Sequence, residues 1–427
     1  MNKNVVVVGG GIAGLAAAIY LARGGRTVTL FEKRRHLGGR AVTHLRHGFR
    51  FNLGPHAFYR SGHAAQVLRE LGIPLRGGVP RNSGFALRGN ERHRFPGGVF
   101  SILATGLLGA RGKLEAARQL FRVRRMKRFP DAAMPFREWL DANLTSPDAR
   151  ALITAAVRLA SYSDAPEELD AAAALQQLRL GLRGVMYIDE GWQKLVDALH
   201  SAAVSSGVNF VTSSRVVSVD HDGTRVRGLA LGGFDVDEDS EESAASAPRA
   251  AAGGESGTRL HADAVVLAVD PLTARSMVHD APWASSFQPV TAACLDVALS
   301  KLPQPKHTFA LGIDRPLYFS VHSQWAQLTP KGGALIHAAR YGGAEDAKEL
   351  EAMLDDLQPG WRGVLVHRRF LPSMTVTNAA STAGTERPAA KTAIEGLALA
   401  GDWVGDEGML SDAALASARA AARALLA

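Results

Sequence analysis

Gly9, Gly11 and Gly14 stand in the spacing G-x-G-x-x-G, and Glu32 follows 18 positions after Gly14. Residues of these types at these intervals can hold a dinucleotide. Gly9 permits a tight turn, Gly11 lets a pyrophosphate approach the backbone, and Gly14 lets a helix pack closely on a strand. A helix starting here, with Ala13 in its first turn, offers free N–H groups and partial positive charge to that pyrophosphate. Glu32, with Lys33 beside it, is placed to accept hydrogen bonds from a ribose 2′-OH. A carboxylate there repels a 2′-phosphate, which argues against NADP. These residues need a strand, a helix and a second strand to position them. The apolar run 5–8 reads as a strand buried on both faces, 15–22 as the helix, and 27–31 as a strand that stops at Glu32.

The far end of the chain repeats the strand-to-glycine pattern. Residues 397–400 are apolar and lead into Gly401-Asp402-Trp403, and an alanine-rich helix follows from 413 to 426. Between the two ends lie Lys33-Arg34-Arg35-His36-Leu37-Gly38-Gly39-Arg40 and Gly48-Phe49-Arg50-Phe51-Asn52-Leu53-Gly54-Pro55-His56. The first of these resembles the second signature of the amine oxidase and phytoene desaturase superfamily of FAD enzymes. The chain as a whole resembles the phytoene desaturase and carotenoid isomerase branch more closely.

The resemblance implies an α/β fold: a Rossmann-like FAD-binding domain with a second, α+β substrate domain built on a mixed or antiparallel sheet. It implies FAD, bound non-covalently because Cys294 lies outside the C-terminal flavin segment. It places Gly39 and Arg40 near the flavin pyrophosphate, where a guanidinium fork suits two phosphate oxygens. Gly54, Pro55 and His56 then pass beside the isoalloxazine ring, and the backbone at Val216 meets adenine. Gly401 and Asp402 bind ribityl and pyrophosphate oxygens. The helix N-terminus at Met409, Leu410 and Ser411 points at the flavin N1–C2=O edge, where a positive dipole end stabilises the reduced ring. The superfamily often has Ser-Gly within this last helix, whereas this chain has Ser417-Ala418.

For catalysis, His56 is the candidate acid/base or substrate-orienting group, and a packed hydrogen-bonding histidine is the equal alternative. Trp192 is a candidate cavity wall, and a core tryptophan is the bland reading. The expected reaction takes hydride from an apolar, isoprenoid-like small molecule, desaturating or isomerising it, with oxygen or a quinone as electron acceptor. Flavin amine oxidation and protoporphyrinogen-type oxidation are the rivals, and a non-catalytic lipid-binding protein like the GDP-dissociation inhibitors is a third class. Against amine oxidation, the run 290–296 has no lysine to hold a water near the flavin, Lys301 lies beyond it, and Trp403 is the only aromatic-cage candidate at the C-terminal motif.

Composition bounds the rest. With 427 residues, 46% hydrophobic and 21% charged, the chain is globular and long enough for two domains. One cysteine excludes an internal disulfide and a cluster of cysteine metal ligands, and no metal is expected. Net charge is +8, concentrated at 111–128, where eight basic residues face Glu115 alone. The segment just upstream, 95–108, is apolar. Together 95–128 can seat the protein peripherally on anionic lipid, and a solvated helix face is the plain alternative. Nothing resembling a nucleic-acid motif accompanies the charge. No run reaches the ~20 apolar residues of a spanning helix, so a cytoplasmic protein, peripheral at a membrane at most, is expected.

The expected FAD-binding domain is assembled from 1–72, 185–279 and 391–427, and the substrate domain from a helix-rich 73–184 and a β-rich 280–390. Helices are clearest at 149–159 and 171–182. Strands are expected at 290–299, 308–311, 317–321, 334–339 and 364–370. The acidic, then Ala/Ser/Gly-rich stretch 234–258 reads as a flexible loop.

Overall fold

The computed structural model describes residues 3–427 except 82, 131–132, 233–256, 280, 282 and 284–286. Positions 234–256 of the expected loop therefore lie outside the described residues.

Asn4–Val8 and Thr27–Phe31 pair in parallel with Val7 beside Leu30, and Ala264–Leu267 joins the other side with Val266 beside Val7. Asn209–Val211 and Leu397–Leu399 complete a five-stranded parallel sheet in the order 209–211, 27–31, 4–8, 264–267, 397–399. The two central strands are covered on both faces, which is why they read as unbroken apolar runs rather than as alternation. Helices Ile12–Arg23, Gln193–Ser205 and Leu410–Leu426 pack together against this sheet. The closeness of that packing is visible at Gly14, where an added Cβ would sit 1.9 Å from the Gly9 carbonyl oxygen.

A second sheet of seven strands is mixed. Its order is 365–377, 290–299, 334–341, 317–321, 309–312, 85–88, 91–94, and only the 309–312/85–88 pair is parallel. All five strands expected between 290 and 370 are present, the last running on to Thr377. The hairpin Phe85–Arg88/Glu91–Arg94 differs from the helical reading of 73–184. Its second strand is Glu-Arg-His-Arg, which has no apolar face to betray it; the two-residue Gly89-Asn90 turn, with Gly89 at φ +55°, is its only local signal. The five helices Val99–Ala104, Ala110–Arg125, Phe136–Asn143, Pro147–Ser161 and Ala171–Leu182 share a core with this sheet's residues Ala86, Leu311, Tyr318, Ala339 and Tyr341. Ser146 and Asp170 cap the last two of these helices through Ala149 and Ala173 N–H.

Register in this sheet also sets chemistry. Strand Val290–Leu299 is buried almost throughout, and its Asp296 lies directly between His337 on one neighbour and Arg369 on the other. Among the described residues no helix is long and apolar enough to cross a membrane.

Candidate functional site

One continuous cavity of about 2610 Å³ runs between the parallel sheet and the five-helix layer. A pocket for one drug-sized ligand is about 300–1,000 Å³, so this space accommodates a large cofactor and a large second molecule together.

At the sheet end the wall is built from the two glycine turns. Gly9, at φ +106°, turns the chain out of its strand, and a Cβ there would meet the Ala268 carbonyl oxygen at 2.5 Å. Gly11 is the N-cap of Ile12–Arg23 and carries no side-chain cap. A Cβ on Gly11 would meet nothing within 4 Å, so the backbone lies open to the cavity where a pyrophosphate would rest. Glu32 lines the same region; its Oε2 accepts Gly10 N–H at 2.7 Å and its Oε1 accepts Arg34 N–H at 2.9 Å. Those bonds fix the carboxylate and leave lone pairs for a ribose hydroxyl. Ala13, Lys33, Gly39, Pro55, Val216, Leu410 and Ser411 also line the cavity. This set fits FAD, and the buried Trp192 Nε1–H on the cavity wall is a donor without a partner among the described residues.

Three of the expected cofactor residues are not on the wall. Gly14 is wedged against Gly9, Gly54 (φ +76°) turns under Met374 with its Cβ direction 2.5 Å from that sulfur, and Met409 is buried as the N-cap of the last helix. Asp402 does line the cavity, and its carboxylate is already engaged. Its carboxylate accepts from Arg40 Nη2 at 2.7 Å, from Asn378 N–H at 3.1 Å and from Asn378 Nδ2 at 2.9 Å. Burial pushes this carboxyl upward, but the Arg40 charge and these hydrogen bonds outweigh it and hold it below its ordinary value. So engaged, the carboxylate fastens Arg40 across 362 positions of chain, and Arg40 in turn donates to Val376 O at 2.8 Å while lining the cavity. Ser417 accepts Gly401 N–H at 2.9 Å and locks this turn to the last helix, while Ala418 is buried in the core and does not reach the wall. Leu410 begins that helix at φ +56°, a strained conformation for a leucine, at the point where the helix end meets the cavity.

His56 and Trp192 sit edge to face with ring centroids 5.1 Å apart, and both line the cavity. His56 Nδ1 is 3.1 Å from the Gly54 carbonyl oxygen, so this nitrogen carries the proton and Nε2 is the free acceptor. Burial pushes the imidazole down to about 4, which keeps it neutral at physiological pH.

Sequence reasoning misses the tyrosines. Tyr59, Tyr162, Tyr187 and Tyr318, four of the six in the chain, line the cavity. The scarcity of tyrosine is the only signal. Trp403, the aromatic-cage candidate, is instead buried in the core with its Nε1–H on Val269 O at 2.8 Å. Lys301 is exposed beyond its strand. The helical end of the wall is apolar, with Ile102, Leu120, Leu152, Leu159, Leu178 and Leu182, and it ends at Arg81, Arg124 and Arg125. Among the described residues the acidic members of the lining are Glu32, Asp270 and Asp402, all at the nucleotide end. Cys294 Sγ, an Asp296 oxygen and a His337 nitrogen come within 4.8 Å of one another, but the Arg369 guanidinium already occupies that carboxylate and would repel a cation.

With this geometry in place, comparisons with known proteins agree on kind. The family described as flavin containing amine oxidoreductase matches residues 12–426. An oxidoreductase from Methanosarcina mazei superposes with TM-score 0.72 at 18% identity, covering 97% of this chain and 99% of that one. A structure from Exiguobacterium sp. 255-15, described as a protoporphyrinogen oxidase by assignment, superposes with TM-score 0.69 at 18% identity, covering 100% and 99%. The 4,4′-diaponeurosporene oxygenase of Staphylococcus aureus is 46% identical over 55 residues, a stretch spanning 13% of this chain and only 11% of that protein.

Proposed function

This chain belongs to the flavin-containing amine oxidoreductase family and is an FAD-dependent oxidoreductase, and we propose that it takes hydride from an apolar, isoprenoid-like substrate. The observation that carries this reading is the set of aliphatic lining residues supplied by the helices, Ile102, Leu120, Leu152, Leu159, Leu178 and Leu182. A long hydrocarbon gains about 25 cal/mol per Å² on entering such a wall, and no described lining carboxylate at that end would hold a cationic amine.

FAD, held non-covalently, supplies the hydride acceptor. Gly9, Gly11 and Ala13 would present backbone to its pyrophosphate, Arg40, positioned by Asp402, would donate to phosphate, Glu32 would take the ribose, and Val216 would meet the adenine. Gly39, Pro55, Leu410 and Ser411 shape the channel around the ring. Gly14, Gly54 and Met409 act behind the wall by permitting the packing and turns that place these groups. His56 is neutral and faces the cavity, suited to accept a proton or to orient substrate; Trp192 walls it in. Electrons leave to oxygen or a quinone.

Leu103, Leu114 and Phe121 are exposed, Phe121 also lines the cavity, and the exposed Arg118, Arg122, Arg124, Arg125, Lys127 and Arg128 belong to the same stretch of chain. Apolar tips on a basic stretch favour peripheral contact with an anionic bilayer from which the substrate is drawn.

Oxidation of a porphyrinogen is the second reading, favoured by Arg81, Arg124 and Arg125, which could receive carboxylate arms. Anaerobic bleaching of the bound flavin by polyenes, porphyrinogens and amines tests these assignments. Polyene bleaching is expected, and bleaching by amines alone would overturn the proposal. His56→Ala is expected to slow that bleaching about 10²-fold or more with FAD still bound; an unchanged rate removes His56 from the chemistry.

A further inference from the structure

Behind the cavity wall, the seven-stranded sheet buries a chain of polar side chains that the cofactor does not require. The geometry points to Tyr318 as a catalytic proton acceptor for the substrate, backed by a relay through His322 and His337 to Asp296. This inference rests on the dehydrogenation reading above.

Tyr318 lines the cavity, and its hydroxyl is 3.1 Å from His322 Nε2. The His322 ring is stacked on Tyr187, also on the wall, at 3.8 Å and 13°. The His322 and His337 ring centroids are 4.4 Å apart, and His337 Nδ1 is 2.5 Å from Asp296 Oδ1. Arg369 donates to the other oxygen of Asp296 through Nη2 at 2.5 Å, and Cys294 Sγ–H reaches Oδ1 at 3.1 Å. Tyr187, Ser320 and His56 are the remaining polar groups around the two imidazoles.

The two ends of the chain dictate the tautomers between them. Burial opposes ionisation of Asp296, yet His337 and Arg369 hold its carboxyl below its ordinary value, so it is an anion. His337 must then carry its proton on Nδ1, leaving Nε2 an acceptor. At the other end the Tyr318 hydroxyl donates to His322 Nε2, so His322 carries its proton on Nδ1. The two ring atoms without a partner among the described residues are His322 Nδ1 and His337 Nε2, a donor and an acceptor on adjacent rings. Buried polar atoms are rarely left unpaired. One bridging water or a modest ring rotation would join these two and complete the path.

Making a C=C or C=N bond removes one hydride and one proton from the substrate. The hydride goes to the flavin, and the proton needs an oxygen or nitrogen. It bonds to the Tyr318 oxygen as the tyrosine's own proton passes to His322 Nε2 and the His322 Nδ1 proton passes to His337 Nε2. The breaking substrate bond leaves its electron pair in the new π bond, and the positive charge comes to rest on His337 against the Asp296 carboxylate. When two electrons and a proton leave for the acceptor, the proton returns along the same path. Tyr318 is thus the catalytic residue, and His322, His337 and Asp296 are positioning residues.

The test uses the FAD-loaded protein labelled with ¹⁵N-imidazole histidine, its signals assigned by loss in His322→Gln and His337→Gln. His337 is expected with its Nδ1 proton on Asp296, and His322 as a neutral Nδ1–H tautomer that changes tautomer in Tyr318→Phe. An Nε2–H His322 in the unmodified protein, or no response to Tyr318→Phe, overturns the relay whatever the substrate proves to be. Tyr318→Phe keeps the ring and the fold, so failure of a histidine variant to fold does not remove the test. With a polyene that bleaches the flavin, Tyr318→Phe should slow bleaching at least about 10²-fold and abolish its solvent deuterium isotope effect, at unchanged FAD affinity. A variant that bleaches at the native rate refutes the catalytic assignment.

Discussion

Asp412 sets the fold against its own charge. The side chain is fully buried in the first turn of Leu410–Leu426; its Oδ1 accepts Ala64 N–H at 2.7 Å and its Oδ2 has no partner among the described residues. Burial, opposed only by that hydrogen bond, pushes the carboxyl from 3.8 up to about 7. In the unfolded chain the group ionises near 3.8, whereas the folded chain keeps the proton until about 7. Between those values the folded state binds more protons, so stability falls as pH rises; the contribution is complete below the lower value and lost above the upper one. A gap of about three units at 1.36 kcal/mol each amounts to about 4 kcal/mol. Asp412→Asn keeps an oxygen for Ala64 and cannot ionise. Urea unfolding of the FAD-loaded protein should therefore show the variant gaining on the native chain by about 4 kcal/mol between pH 4 and pH 8, on the order of 5 °C in melting midpoint. Since Leu410 and Ser411 bring this helix end to the cavity, the Asp412 charge also opposes the dipole there. Above pH 7 the variant should hold a higher flavin reduction potential than the native protein, and below pH 6 the same one. Stability curves that stay parallel across this range would refute the reasoning.

The glycine cradle can be tested by a contrast. Gly11→Ala places its methyl in open space, so the FAD-free protein should melt as before while flavin affinity falls; Gly14→Ala drives a methyl into the Gly9 oxygen and should lower the melting midpoint itself. Glu32→Gln removes the charged acceptor, and fluorescence titration should find FAD binding weakened about 10- to 100-fold, from the 1.5–3 kcal/mol of a charged hydrogen bond. Arg124→Glu with Arg125→Glu should weaken cosedimentation with phosphatidylglycerol vesicles at least about tenfold, at about 1 kcal/mol per charge. Equal sedimentation of both proteins would end the membrane reading.

What the residues disclose by themselves is local in sequence. Gly9, Gly11, Gly14 and Glu32 fall within one strand–helix–strand unit, whose spacing follows from backbone geometry, so the nucleotide end is legible in the sequence alone. Strand 290–299 is legible for the same reason, as a run whose apolar character is nearly unbroken. The purpose of its one charged residue is not. Asp296 is explained only by the register that sets His337 and Arg369 opposite it, 41 and 73 positions away, and no local pattern encodes a register.

The same distinction holds at the site. Asp402 follows the expected glycine and lines the cavity, but which groups its carboxylate holds is set by Arg40 and Asn378 arriving from other segments. Trp403, the one aromatic-cage candidate at the C-terminal motif, is turned by packing to Val269, and the wall is left to tyrosines scattered from 59 to 318. Motifs specify what the backbone offers to a ligand, and backbone groups stay where the local turn puts them. A side chain's task depends on which partner satisfies it, so acid–base chemistry in this fold must be argued from tertiary contacts such as His337 on Asp296, which join strands that the sequence alone does not bring together.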